Sequence, residues 1–535
     1  EKLMKVLFIY PNVQGNSRLP LGLCIIMTVL EESGHDVNLF DTTFFMQDRN
    51  TDDEDKEAGG RVKPTDTSRF FHKHSLNEID DLLRNKINDF SPDLVAFSII
   101  EDNYEYSNRL MEFVKSIGDI PIVVGGTTPT VAPEVVVENP NIDWVMRGES
   151  ERAFTEFCDL YEKGESVESV DGLVYKKEDG SVVMNSIPKF VDLNELPFPN
   201  YSQWNEGHFI KPYDGKLYKA GYIEMSRGCM FICSYCVNIT YQDIMAESGK
   251  FFRSKTVDRM IEEARYQIEK HNSEMFFFCD DNFLSISMNK LKEFAKRWSE
   301  EIGLPFWINT TVESVGKEEK IRTLKEAGCA GIGLGIETGS EKLRREVLHK
   351  FIGNDKIIKT VRLLNKYDYR TTVNVIIGFP GEQIEDIYKT IRFVQDLKVP
   401  SYNMAFLSPY YATPLYEICK NLKYIEVWKK RPGFNGLAKQ IGSHTGLTVG
   451  PPIKIPTIPK KVLIHFYHNF VKYVENEISI PDLDTFDAEK DHAEKMKVVK
   501  EYAKVDMLPF KLKRQYKEVV NATKDSFTHN GKRRK

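Results

Sequence analysis

The chain has 535 residues, 41% hydrophobic and 28% charged. That balance is ordinary for a globular protein and excludes a collagen-like, wholly disordered or disulfide-scaffold chain. Lys and Arg number 73 against 79 Asp and Glu, a net charge of −6, so nothing calls for nucleic acid or an anionic membrane as partner.

At roughly 150 residues per domain, the length fits three or four units. No apolar run reaches the ~18 residues of a membrane span. Glu1-Lys2-Leu3-Met4 carries no signal-peptide pattern. Eight cysteines spread over such a length are no disulfide framework, so a reducing cytoplasm is expected.

Residues 1–165 alternate short apolar runs with amphipathic stretches. Strands are expected at 5–10, 37–40, 94–98, 122–124 and 144–146, and a helix at 19–33, ended by Gly34. Strands alternating with helices in this way give a doubly wound, Rossmann-like parallel sheet, whose ligands bind at the carboxyl ends of the strands. The interval 49–68, with Asp52, Asp53, Glu54 and Asp55, reads as a solvated loop or as a lid over a site. Residues 166–215 read as a hairpin, turning at Asp179-Gly180, and a linker marked by Pro197 and Pro199.

A second β/α series occupies 216–418, with strands at 223–225, 275–278, 306–308, 331–335, 372–377 and 403–407. Val257, Met260, Ile261, Ala264 and Ile268 fall on one helical face, and Leu291, Phe294, Ala295 and Trp298 on another. Six such units make a partial (β/α)6 barrel, so the fold class is α/β throughout these two domains. Residues 419–535 lose the alternation and read as a mainly helical C-terminal region. It holds a Gly/Pro-rich stretch at 433–459, a helix at 462–475 and a basic, fraying tail at 532–535.

Three cysteines are clustered. Cys229, Cys233 and Cys236 follow the first strand of the second series with C-x3-C-x2-C spacing, where β/α barrels place their chemistry. A zinc ribbon or a ferredoxin-type cluster takes four ligands, and Cys279 or His208 is the candidate fourth. Three thiolates can instead hold three irons of a [4Fe–4S] cube and leave the fourth open to a chelating ligand.

With aromatic Tyr235 before the last cysteine, this segment resembles the signature of radical S-adenosylmethionine (SAM) enzymes, and the resemblance extends over about 220–416. It implies that the open iron is chelated by the amino and carboxylate groups of SAM, and that the reduced cluster releases a 5′-deoxyadenosyl radical. Other strand ends match the family's SAM contacts. These are Asp280 and Asp281 for the ammonium, Glu337 and Ser340 for the ribose side, and Gly378, Phe379 and Pro380 for adenine. Asp281 and Glu382 also read as helix-capping acids.

The first domain resembles the cobalamin-binding domain that precedes many radical SAM barrels. The resemblance rests on Pro20-Leu21-Gly22, Gly125-Gly126-Thr127 and Gly148-Glu149, and implies cobalamin contacts at these residues and at Asn12 and Ser98. The D-x-H-x-x-G motif that supplies an axial histidine elsewhere is absent, and His35 reads as a turn residue. Methylthiotransferases, which keep three further cysteines before the barrel, are set aside because only Cys24 and Cys158 precede residue 200.

The whole resembles a cobalamin-dependent radical SAM methyltransferase. The implied cofactors are a [4Fe–4S] cluster, SAM and cobalamin. The implied partners are a small-molecule or natural-product substrate and a flavodoxin- or ferredoxin-type electron donor. Methylcobalamin would give its methyl group to a substrate carbon radical, with Tyr402, Tyr410 and Tyr411 as candidates for the substrate wall. The alternatives are a cyclase or rearrangement enzyme of the same superfamily, and a non-enzymatic iron–sulfur or zinc protein.

Overall fold

The protein, as a computed structural model, is described over residues 4–12, 19–46, 68–70, 72–213, 215–425 and 453–481. The acidic interval from 49 to 67, most of 433–459 and the basic tail lie outside the described residues. Among the described residues no helix is long and apolar enough to cross a membrane.

Strand β1 (Lys5–Tyr10) pairs in parallel with β2 (Asp36–Asp41) on one side and β3 (Leu94–Ser98) on the other. Strands β4 (Ile122–Gly125) and β5 (Trp144–Met146) extend the sheet, also in parallel. Val6, Leu7, Phe8 and Ile9 are all buried, the continuous apolar run of a strand covered on both faces. Helix α1 (Leu21–Glu32) covers the face of Val6 and Phe8. Helices α2 (Leu76–Phe90) and α3 (Tyr104–Ile117) cover that of Leu7 and Ile9, and α4 (Glu151–Glu162) returns to the first face.

The hairpin expected after residue 165 is present as β6 (Leu173–Lys176) and β7 (Val182–Met184), and it joins this sheet. β6 pairs antiparallel with β5, giving the order β2-β1-β3-β4-β5-β6-β7. The order reverses between β1 and β3, which opens a crevice at their carboxyl ends.

The second sheet also has seven strands. After β8 (Ile210–Tyr213) and β9 (Lys216–Ile223) come β10 (Met275–Phe278), β11 (Phe306–Thr310), β12 (Cys329–Glu337), β13 (Arg370–Ile377) and β14 (Ser401–Phe406), hydrogen-bonded in that order. The last six are parallel and form the expected partial barrel, with β8 and β14 at its edges.

Two differences from the sequence reading are local. The first barrel strand was expected at 223–225 but ends at Ile223, because Met225 N and Ser226 N donate to the Asp280 carboxylate (3.1 and 2.6 Å) and not to a neighbouring strand. The antiparallel β8, within the expected linker, was not foreseen, since Ile210-Lys211-Pro212-Tyr213 has too little apolar periodicity to announce a strand.

The helices follow their sequence signals. α5 (Val237–Ile244) leads out of the cysteine segment. α6 (Val257–His271) is capped by Thr256, whose hydroxyl accepts from Arg259 N at 3.2 Å, and ends at Asn272 in the left-handed region. α7 (Met288–Glu301) buries Leu291, Phe294, Ala295 and Trp298. α8 (Ile384–Leu397) and α9 (Lys460–Val474) pack together beyond β14, where Tyr402 meets Phe470 and Phe406 stacks on Tyr467.

Trp298 anchors the barrel's outer core. It is fully buried, meets Phe276, Phe278, Phe294 and Phe306 at centroid distances of 5.2–5.4 Å, and donates from its indole N–H to Leu304 O at 2.9 Å. Trp298→Ala is expected to cost about 3–5 kcal/mol, read as a marked fall in the barrel's unfolding midpoint in denaturant. A midpoint within error of wild type would contradict this account of the core.

Candidate functional site

The cysteine loop runs from the end of β9 to the start of α5. Gly228 opens it at φ +89°, and a Cβ there would lie 2.6 Å from Phe251 O, so only glycine fits. Gln242 Nε2 donates to Cys229 O and Phe231 O (2.9 and 3.1 Å), and Ser234 Oγ donates to Val347 O (2.5 Å). The loop therefore has a fixed course without regular structure.

Asp280 and Asp281, directly after β10, brace the loop from below. Asp280 is buried and accepts from Met225 N, Ser226 N and the Ser226 hydroxyl. Burial pushes its carboxyl up to about 7 against those hydrogen bonds. Asp281, exposed at the cavity wall, is pushed up by desolvation, against the nearby Asn238 side chain and Gly228 main chain, which pull it down.

The three thiols are brought together, each within electrostatic range of another. Burial raises all three, Cys233 to about 12, while the Phe231 main-chain N–H and then the Lys350 ammonium pull Cys229 down, Lys350 pulls Cys233 down and Asn238 hydrogen bonds pull Cys236 down. Such thiols stay protonated until a metal displaces the proton. Neither candidate fourth ligand joins them. His208 Nε2 lies 2.7 Å from Asp41 Oδ2 in the first domain, and the electrostatic partners of Cys279 are Asp280, Glu224, Glu263 and Lys211. Among the described residues no group of His, Cys, Asp and Glu is arranged to share one metal ion, whereas a cluster spreads its thiolates over separate irons.

The other strand ends face the same region. Glu337, at φ +63°, accepts from the Tyr235 hydroxyl at 2.8 Å and from Lys350 Nζ at 3.0 Å. Ser340 is buried at the turn after Glu337 and receives no cap hydrogen bond on its side chain from the short helix it begins. Gly378 N and Phe379 N both donate to Glu382 Oε2 (2.6 and 3.2 Å), closing the turn that carries buried Pro380. Glu382 is pushed up to about 8 by burial.

The two domains enclose a cavity of about 540 Å³. From the first domain it is lined by Pro20, Leu21, Gly22, Ser98, Gly125, Gly126, Thr127, Gly148 and Glu149. The barrel contributes Arg227, Val237, Asn238, Tyr241, Met245, Arg253 and Asp281 among others. Asn12 is not among the lining residues; its amide N–H donates to Tyr10 O. Gly126, at φ +110°, passes so close to Ile99 that a Cβ would meet its carbonyl oxygen at 2.6 Å. A Cβ on Gly22 would point into open space, which leaves the backbone there approachable by a flat, bulky ligand. Among the described residues no histidine lines the cavity.

Ion pairs and hydrogen bonds cross the interface. Arg227 NH1 lies 2.9 Å from Glu149 and 2.8 Å from Glu151, and NH2 lies 3.0 Å from Glu224. Arg253 pairs with Glu149 as well. Both oxygens of Glu149 are thus engaged by barrel arginines. Tyr241 of α5 shares a hydrogen bond with Thr127, and burial pushes its hydroxyl to about 12. Tyr411 N donates to Glu101 at 2.9 Å, and the hydroxyls of Tyr410 and Tyr411 lie near Asp102 and Glu134. Tyr410 and Tyr411 therefore join the domains, and Tyr402 packs outward on α9; none of the three is placed by its contacts on a substrate wall.

Arg227, Arg253, Asn238, Tyr241 and Lys350 were not foreseen as site residues; all but Asn238, which bonds Cys236 two residues before it, gain their roles from partners further off in sequence. Asn309, Asn374 and Asn403 were missed too. They alternate with helix-side core residues on β11, β13 and β14 and so face the barrel interior, where Asn403 Nδ2 donates to Asn374 Oδ1 at 3.2 Å. Amides at alternate positions of apolar strands were a readable signal.

Comparison with known proteins follows the same division. The family described as the radical SAM superfamily matches residues 223–394, and the B12 binding domain family matches 67–158. An uncharacterized methyltransferase of Pyrococcus horikoshii is 28% identical over 448 residues, 80% of this chain and 86% of that one. Cytidylyl-2-hydroxyethylphosphonate methyltransferase of Streptomyces wedmorensis is 23% identical, covering 76% and 79%. Anaerobic magnesium-protoporphyrin IX monomethyl ester cyclase of Rubrivivax gelatinosus is 24% identical, covering 63% and 60%. The structure of the methyltransferase TsrM from Kitasatospora setae, with cobalamin and a [4Fe–4S] cluster bound, matches in fold. Its TM-score is 0.62 at 17% identity, over 91% of this chain and 92% of that one.

The interface makes a pH prediction. Burial, countered in part by the Tyr411 N–H, raises Glu101 to about 7. As pH climbs from the ordinary carboxyl range to about 7, the unfolded chain loses this proton and the folded chain keeps it, so stability falls across that window. Glu101→Gln keeps an acceptor for Tyr411 and cannot ionise. The wild-type thermal midpoint should drop relative to the variant's between about pH 5 and about pH 8. Parallel midpoint curves in scanning fluorimetry would count against it.

Proposed function

Since the chain belongs to the radical SAM superfamily and carries a B12-binding domain ahead of its barrel, we propose that it is a cobalamin-dependent radical SAM methyltransferase. It acts on a carbon of a small-molecule or natural-product substrate. The observation that carries the proposal is the shared cavity. It is lined by the first-domain loops at 20–22, 125–127 and 148–149 and, from the barrel, by Arg227, Gly228, Asn238 and Asp281, which flank the cysteine loop.

In this reading Cys229, Cys233 and Cys236 hold three irons of a [4Fe–4S] cluster and leave one open for SAM. Gly22, Gly125, Gly126, Thr127 and Gly148 hold the corrin of cobalamin against the first domain. When bound, these groups supply a 5′-deoxyadenosyl radical and a transferable methyl group.

The chain's own residues hold and orient. Tyr235, Glu337 and Lys350 form one buried hydrogen-bonded unit beside Cys233, which suits a polar cofactor edge at that strand end. Asp280 and Asp281 hold the loop, and an ammonium group of SAM would compete for Asp281 with Asn238 and Gly228. Gly378, Phe379 and Pro380 offer bare backbone to adenine. Electrons come from an external donor of flavodoxin or ferredoxin type.

The second reading, a cyclase of the same superfamily, is favoured by the likeness to the Rubrivivax protein. Product mass separates the two, since methyl transfer adds one CH2 unit and ring closure does not.

Anaerobically purified protein, reconstituted with iron, sulfide and hydroxocobalamin, is expected to hold about four irons and one corrinoid per chain. With SAM and dithionite it should release 5′-deoxyadenosine, and Cys233→Ala should abolish that release. Iron and deoxyadenosine without corrinoid would sink the methylcobalamin route. Zinc in place of iron, with no SAM cleavage, would sink the enzyme.

A further inference from the structure

Asn238 stands in the first turn of α5, two residues after Cys236, and is buried. Its side-chain Nδ2 lies 3.6 Å from Cys236 Sγ, and its main-chain N–H is directed to the same sulfur. The Asp281 carboxylate bonds the same side chain. A carboxylate only accepts, so the amide must turn its NH2 group, not its oxygen, toward Asp281 and the sulfur. Cys236 is moreover the N-cap of α5, where the helix presents its positive end. The three thiols are thus unequal. Cys229 and Cys233 feel the Lys350 charge, Cys229 also takes the Phe231 main-chain N–H, and Cys236 takes a side-chain amide donor.

We propose that Asn238 is a positioning residue that sets the reduction potential of the cluster through its hydrogen bond to Cys236, with Asp281 fixing the amide's orientation. The inference rests on the three-thiolate reading above. Reduction places one electron from the external donor on the cluster, and part of that charge falls on the thiolate sulfurs. An N–H donor at a sulfur stabilises the reduced form more than the oxidised one and so raises the potential. No proton or bond is exchanged, so the effect is electrostatic.

The test is an EPR-monitored redox titration of the reconstituted full-length protein, with dithionite as reductant and viologen mediators. Asn238→Ala removes the side-chain donor. Asn238→Asp keeps the shape and replaces the donor with a charge. The one-electron reduction equilibrium is expected to fall about tenfold in Asn238→Ala, equivalent to about 59 mV, and further in Asn238→Asp, with shifted g-values in both. A merely structural residue would lower iron content and leave the potential of the remaining cluster unchanged, and that result overturns the inference. If Asn238→Ala holds too little iron to titrate, Asn238→Asp decides, and an unchanged potential there overturns it equally. A wild-type protein that binds no iron overturns the three-thiolate reading and this inference with it.

Discussion

Arg227 lies half-buried among Glu149, Glu151 and Glu224, two residues before the first clustered cysteine. A buried guanidinium without partners costs several kcal/mol. Burial opposes its charge, and the three carboxylates more than offset that, holding its pKa above the ordinary value. Two of the three belong to the first domain. Parting the domains would strand the cation beside Glu224 alone, so the cysteine loop and the domain interface hold their shape together. The 540 Å³ cavity depends on this contact, because its two walls come from different domains.

The loops at the barrel's strand ends are irregular, and acids hold them, Asp280 and Glu382 buried and Asp281 exposed. Asp280 gathers the amides of residues 225 and 226, Asp281 that of Gly228, and Glu382 those of residues 378 and 379. Desolvation raises these carboxyls while the hydrogen bonds lower them. Each acid satisfies main-chain donors that no strand or helix accepts, which a buried loop requires. Regular structure delivers the chain to the strand ends, and the acids decide its course beyond them. The same division explains why Glu149, expected as a cofactor contact, spends both oxygens on barrel arginines.

Much of this was legible in one dimension. The parallel strands of the first sheet, buried on both faces, appear as unbroken apolar runs, and their bounds were read to within a residue or two. The stripes on α6 and α7 announced a helix layer. C-x3-C-x2-C, at the end of a strand, announced a loop that brings three thiols together, since such proximity is a matter of spacing. Glycines at 22, 125, 126 and 148 fall on the cavity wall, and at 126 the close approach of Ile99 excludes a Cβ.

What tertiary structure decided involves pairs far apart in sequence. Arg227 meets Glu149 across 78 residues, and Tyr411 meets Glu101 across 310. Nothing near either residue in sequence marks the partner. β8 and the end of β9 were misread because hydrogen bonds to Tyr218 and to Asp280, not local periodicity, set them. The tyrosines at 402, 410 and 411 look alike in sequence, yet one faces the helix layer and two face the other domain. Local pattern determines which elements form and which groups can carry chemistry. Only the folded chain determines which charges are desolvated together, because burial is a property of the assembled interface and not of any segment.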